Sequence, residues 1–250
     1  MYSEMVWADL NSIHRDSVFI PFELNENNQE LATYDSDPDF NFYQDINHIL
    51  TNKCNYFLED SFNSEISKTN ISHSNCISMC HINIRSVRQN LNAFETYLNL
   101  LEHDFSVIGL SETWLKDYDN DLFSIDGFSF ESVCRQSRTG GGVAICVRTG
   151  ISYIVRKDLC FSEDLIECIF VEISGESIAL GYNVVYAVIY RPPNTDIKLF
   201  NEKIIHILDV LKKEKKICYL SGDFNIDCFK SERQQLLIFS IPCTRTLLSL

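Results

Sequence analysis

Residues 217–227, ICYLSGDFNID, decide how this chain is read. Ile217 to Leu220 is an apolar run of strand character, and it stops abruptly in Ser221-Gly222-Asp223-Phe224-Asn225. Asp223 and Asn225 flank Phe224 two positions apart, so in extended backbone they project to the same side. Working outward, three other apolar runs end in similar polar clusters: His81-Ile82-Asn83-Ile84-Arg85-Ser86, Ser111-Glu112-Thr113 and Tyr190-Arg191-Pro192-Pro193-Asn194. Sites in α/β sheets gather outside strand ends, where backbone is released from pairing and side chains from different strands converge. If the four ends share an edge, one cleft holds two carboxylates, several amides, a phenol and an arginine. Hard oxygen donors with so few carboxylates suit Mg²⁺, which keeps several waters and shares its shell with a substrate phosphate. That inventory predicts phosphate-ester chemistry.

Each piece also has a plain structural explanation. Glu112 alone is an ordinary loop or helix-start acid, and Gly222-Asp223-Phe224-Asn225 alone is an Asx-type turn. Asn83 in a buried strand needs hydrogen-bond partners that a structural network can supply. Tyr190 to Pro193 alone is a strand stopped by prolines. Gly140-Gly141-Gly142 reads as a turn, because a phosphate-cradling loop would lead into a helix and here the strand Val143 to Val147 follows. The joint order is far more specific than any member.

The remaining chain supplies a scaffold. Ile82 and Ile84 alternate with His81, Asn83 and Arg85 as in a strand. Asn90 precedes Leu91, Phe94, Leu98 and Leu101, one apolar face of a helix with Asn90 as its expected N-cap. Phe105 to Leu110, Leu165 to Ile173 and Val184 to Tyr190 read as strands, and Asp196 is placed to cap the amphipathic stretch LFNEKIIHILDVLKK. Strands alternating with helices predict an α/β layered domain. Residues 1–78 hold three basic residues against thirteen acidic ones and no sustained apolar period, which predicts a largely disordered acidic extension. The whole chain carries 21 basic and 35 acidic residues, a formal charge of −14, which excludes a basic nucleic-acid coat and leaves only local contacts to DNA. Every apolar run is interrupted too early for a membrane span, and the start lacks a signal-peptide pattern, so the expected location is intracellular, nucleus or cytoplasm, and not secreted. Ten scattered cysteines without a C-x-x-C pair fit reduced thiols rather than zinc or disulfides.

The ordered series INIRS, SETWL, GGGVAI, VIYRPPN and SGDFNID closely resembles the endonuclease domain of LINE-type (non-LTR) retrotransposons, within the endonuclease/exonuclease/phosphatase superfamily. The resemblance covers roughly residues 79–229. It implies a four-layer α/β sandwich, two packed mixed sheets flanked by helices, with a Mg²⁺ site at one end that Mn²⁺ can substitute. By the same resemblance Glu112 is the principal metal ligand and Asn83 the amide that organises metal and phosphate. Tyr190 contacts the scissile phosphate, Asp223 activates the water or protonates the leaving oxygen, and Asn225 holds phosphate oxygens. Arg85, Arg138, Arg191 and Arg135, in or near the motif loops, are candidates for DNA phosphate contacts. DNA is the implied substrate, with no membrane partner; whether a reverse transcriptase was fused to the domain stays open. The superfamily also hosts phosphatases, and a non-catalytic remnant is the other alternative.

The resemblance further implies more strands after SGDFNID and a closing Ser-Asp-His motif. None of the six histidines follows Asp223, and the only acids after Asn225 are Asp227 and Glu232. The expectation is therefore a C-terminally truncated domain over 79–229 with a divergent tail over 230–250. It keeps the metal half of its site and is impaired in hydrolysis.

Overall fold

The computed structural model describes residues 5–9, 62–64, 77–117, 119, 123–135, 140–178, 180–225 and 244–246. Most of the expected extension (1–78) and of the expected tail (230–250) lies outside these residues. The strands are β1 (Met5–Asp9), β2 (Met79–Asn83), β3 (Val107–Ser111), β4 (Phe128–Val133), β5 (Val143–Arg148), β6 (Tyr153–Val155), β7 (Phe161–Ser162), β8 (Glu167–Ile173), β9 (Val184–Tyr190), β10 (Ile217–Asp223) and β11 (Thr244–Thr246). Among the described residues the helices α1 (Val87–Leu100) and α2 (Ile197–Lys213) complete the frame. One sheet runs β1-β2-β3-β5-β4 and the other β11-β10-β9-β8-β6, with β7 paired to β8; both mix parallel and antiparallel neighbours.

Alternation along each strand divides the apolar side chains between two faces. Met79, Val107, Val143 and Ile145 from the first sheet meet Ile169, Val171, Val184, Tyr186 and Val188 from the second in one buried layer. The opposite residues of β2, β3 and β5 (Cys80, Ile82, Ile108, Leu110, Cys146) pack against Phe94 and Leu101 of the α1 region. Those of β8, β9 and β10 (Phe170, Val185, Ala187, Ile189, Leu220) pack against Phe200, Ile204, Leu208 and Leu211 of α2. Helix, sheet, sheet, helix: the four-layer sandwich is the outcome, and each layer follows from a strand that is apolar on both faces. The layers approach closely at Gly109, where an added Cβ would lie 2.5 Å from both the Tyr186 hydroxyl and Val188. That gap lets the Tyr186 hydroxyl donate to the Cys80 carbonyl of the facing sheet at 3.0 Å and accept from Ser221 Oγ at 2.7 Å.

The helix starts depart from expectation in one place. Asp196 caps α2 as its sequence predicts, its carboxylate accepting from Leu199 N at 3.0 Å. Asn90 does not cap α1, which begins three residues earlier at Val87. The backbone turns through Arg85 and Ser86 at φ 43° and 89°. The orphan donors at the helix start are taken by distant carbonyls instead: Ser86 N donates to Glu112 O at 2.8 Å and Val87 N to Thr113 O at 3.0 Å. Asn90 Nδ2 closes the same turn from inside the helix, donating to Ile84 O and Arg85 O at 2.8 and 2.9 Å. The start of α1 is thereby fastened to the loop that follows β3.

The six cysteines among the described residues are free thiols. No described helix is long and apolar enough to cross a membrane.

Candidate active site

Register brings the four strand ends to one edge. Asn83 stands beside Ser111 across β2 and β3, and Asp223 beside Tyr190 across β10 and β9. The antiparallel neighbours begin there, Val143 opposite Ser111 and Glu167 opposite Tyr190. The two sheets meet at this edge through one amide. Asn83 Nδ2 donates to Glu112 Oε1 at 3.2 Å and to Asp223 Oδ2 at 2.9 Å, joining carboxylates from separate sheets. Its nitrogen faces both carboxylates and its Oδ1 accepts from Arg85 N at 3.3 Å, so Asn83 sets the spacing of the pair.

The site strands are held in unusual backbone. Glu112, Trp114 and Asn225 have φ of 52°, 56° and 48°, a left-handed region that side chains other than glycine adopt at a cost. Gly222 allows β10 to approach β9, because a Cβ there would stand 1.7 Å from Ile189 O. Immediately after it, the Asn225 N–H donates to Asp223 Oδ1 at 3.0 Å, and Asn225 Nδ2 donates to Arg191 O at 2.8 Å.

Arg191 has a different set of partners from the one foreseen. It is 3% exposed. Its guanidinium donates to Phe224 O at 2.6 Å, to Thr195 O and Oγ1 at 2.7 and 3.1 Å, and to Asn225 O. These bonds pin the turn that carries Asp223 and Asn225, so Arg191 holds the site from behind rather than reaching into it. Arg85 is exposed at the rim. Arg138 lies outside the described residues.

Sequence reasoning missed Glu167. Fully buried at the start of β8, it accepts from Arg135 Nε and from the Gly142 N–H. The guanidinium of Arg135 in turn lies 5.7 Å from the ring centroid of Tyr190. Glu167, Arg135 and the glycine loop thus form a wall behind the phenol. The signal was present: an acid opening an apolar strand must find a buried charge partner. Ser111 Oγ and Thr113 Oγ1, on either side of Glu112, are buried without a hydrogen-bond partner among the described residues.

Electrostatics follow from this packing. Burial pushes the Asp223 carboxyl above its usual range, against the Asn225 N–H that lowers it, and the nearby Glu112 charge pushes the same way as burial. Burial raises the Tyr190 phenol as well, with the Glu112 and Asp223 charges adding to the effect. Tyr190 is therefore a neutral hydrogen-bond donor at physiological pH. Two carboxylates share one amide, and each charge opposes the other. A hard divalent cation would relieve that opposition, and with carboxylate and amide oxygens at hand but, among the described residues, no thiolate or imidazole beside them, the donor chemistry fits Mg²⁺ or Mn²⁺. Glu112 and Asp223 are the two carboxylates that could hold it. No group of three or more His, Cys, Asp or Glu side chains gathers for a metal among the described residues, so water or substrate would complete the shell.

The molecule is thus a two-sheet sandwich with polar strand ends and a carboxylate pair at one edge. The profile of the Endonuclease/Exonuclease/phosphatase family matches residues 80–243, and the chain belongs to that family. No curated protein matches the chain. Similar solved structures include an endonuclease/exonuclease/phosphatase family protein from Bacteroides thetaiotaomicron, at 17% identity and TM-score 0.44, covering 65% of this chain and 67% of that one. The human Nocturnin catalytic domain is similar at 13% identity and TM-score 0.42, covering 58% and 62%. The APE2 catalytic domain of Xenopus laevis is similar at 15% identity and TM-score 0.43, covering 64% and 63%. The chain thus spans about two thirds or less of the length of these structures.

Proposed function

We propose that this domain hydrolyses phosphodiester bonds in DNA with a divalent cation, Mg²⁺ or Mn²⁺, and that it derives from the endonuclease of a LINE-type retroelement. The observation that carries the catalytic reading is the Asn83 amide bridging Glu112 and Asp223, residues far apart in the chain. The ordered motifs, from INIRS to SGDFNID, support the retroelement branch over a phosphatase-type relative.

The chain's own groups divide the work. Asp223, half-buried and raised, is suited to exchange a proton with the attacking water or the leaving oxygen, since a carboxyl is most effective when its pKa moves toward the working pH. Tyr190 donates its phenolic proton to a non-bridging phosphate oxygen, backed by the positive face of Arg135. Asn225 keeps one amide hydrogen for phosphate while the other holds Arg191 O. Asn83 fixes the spacing of the carboxylates, so their geometry costs no reorganisation when substrate arrives. The bound cation would neutralise charge that grows on the phosphoryl oxygens.

Cleavage of an end-labelled DNA duplex with Mg²⁺ or Mn²⁺, against a chelator control, tests this reading. Appearance of fragments ending in a 3′-hydroxyl is expected, with loss of about 100-fold or more in Glu112→Gln and Asp223→Asn. Cleavage undiminished in both variants would overturn it, as would release of inorganic phosphate from monoesters without any strand scission.

A further inference from the structure

Resting on the DNA reading above, we propose that Trp114 is a stacking platform that receives an unstacked DNA base beside the scissile phosphate. Thr113 and Leu115, its neighbours on both sides, are each 1% exposed, whereas Trp114 is 36% exposed. The chain turns this one side chain out of the core through left-handed backbone, φ 56°, which a bulky residue adopts only where its surroundings enforce it. They do so here: Trp114 N donates to Gly141 O at 2.8 Å and Thr113 N to Gly142 O at 3.2 Å. The Cβ position of Gly140 lies 3.6 Å from the indole Nε1, so a loop without side chains runs alongside the ring. The indole is thus both presented and fixed.

Its place along the chain sets what it can meet. Two residues span at most about 7 Å, so the backbone of Trp114 lies within about two base-pair rises, 3.4 Å each along the duplex axis, of the Glu112 backbone. Of the other large apolar side chains exposed among the described residues, Tyr182 precedes β9 and Ile154 lies on β6 opposite Glu172. Leu100 ends α1. All three fall toward the opposite edge of the sandwich, and Leu199 is aliphatic, on the first turn of α2. Among the described residues, Trp114 is the exposed aromatic at the site edge. The acidic total of −14 leaves few cationic contacts for the backbone, and stacking supplies affinity that needs no charge. A base paired within a duplex hides its face, so this platform favours single-stranded, frayed or flipped nucleotides.

The chain has two tryptophans, and Trp7→Phe leaves Trp114 as the only indole. In that background and with Ca²⁺ replacing Mg²⁺, a short single-stranded oligonucleotide is titrated against an abasic strand of equal length, both fluorescein-labelled. Indole quenching reports stacking and anisotropy reports binding. Quenching by the base-bearing strand but not the abasic one is expected. Trp114→Ala should weaken binding of the base-bearing strand about tenfold, within the range that base–aromatic stacking gives, and Trp114→Phe should recover most of it. Binding seen by anisotropy without quenching, or equal weakening of both strands by Trp114→Ala, would overturn the platform while leaving DNA as the substrate. Absence of binding by either strand would overturn both.

Discussion

At the residue scale, the role proposed for Asp223 sets catalysis against stability. Its carboxyl sits above its unfolded value because burial and Glu112 disfavour the charge. The sign of the linkage is set by that direction. A raised acid binds its proton more tightly in the folded state, so ionisation weakens the fold as pH rises from the unfolded value, about 4, through the folded one. In metal-free buffer Asp223→Asn should therefore melt at a higher temperature than the unsubstituted chain at neutral pH. The difference should vanish as the pH falls below about 4. A calorimetric scan across pH checks this; a variant less stable at pH 7 would show that Asp223 is stabilised as the anion. On the proposed mechanism the same substitution lowers activity, as expected where function holds a charge in an unfavourable place. Arg191 shows the opposite economy, a buried charge satisfied by four acceptors around the turn it supports.

At the scale of elements, the strongest dependence falls on the contact of β9 and β10, the strands that carry Tyr190 and Asp223. Gly222→Ala would drive a methyl group into Ile189 O, to 1.7 Å, where only backbone movement can relieve it. The expected cost is at least about 3 kcal/mol, with loss of soluble protein, read by chemical denaturation. Stability unchanged in that variant would mean the strands are not in this register. The same elements show what the sequence makes legible. The apolar runs of β3, β8, β9 and β10 and the Asp196 cap declare themselves, because burial on both faces and a local side-chain bond leave local marks. The start of α1 does not, since its orphan donors are satisfied by Glu112 and Thr113, which are remote in sequence. The edge strand β4 was passed over because half-exposed Phe128-Ser129-Phe130-Glu131 gives a weak pattern. Asn83, Glu112 and Asp223 could be nominated from their strand-end positions, but the bridge between them depends on sheet order. Glu167 escaped notice because its partners, Arg135 and Gly142, lie on the facing sheet's side of the site.

At the scale of the whole molecule, the sandwich brings one edge of each sheet together and leaves two carboxylates facing a single amide there. The charge of −14 makes that edge an unfavourable place for a DNA phosphate unless a cation intervenes. Cation binding is therefore the step on which the phosphodiesterase reading stands, ahead of any measure of turnover. Titration of Mn²⁺ into the metal-free chain, with free Mn²⁺ read by electron paramagnetic resonance, tests it most directly. We expect one Mn²⁺ bound per chain, displaced by excess Mg²⁺ and weakened at least about tenfold by Glu112→Gln, a loss of about 1.4 kcal/mol. Equal Mn²⁺ affinity in the unsubstituted chain and in Glu112→Gln would contradict the account.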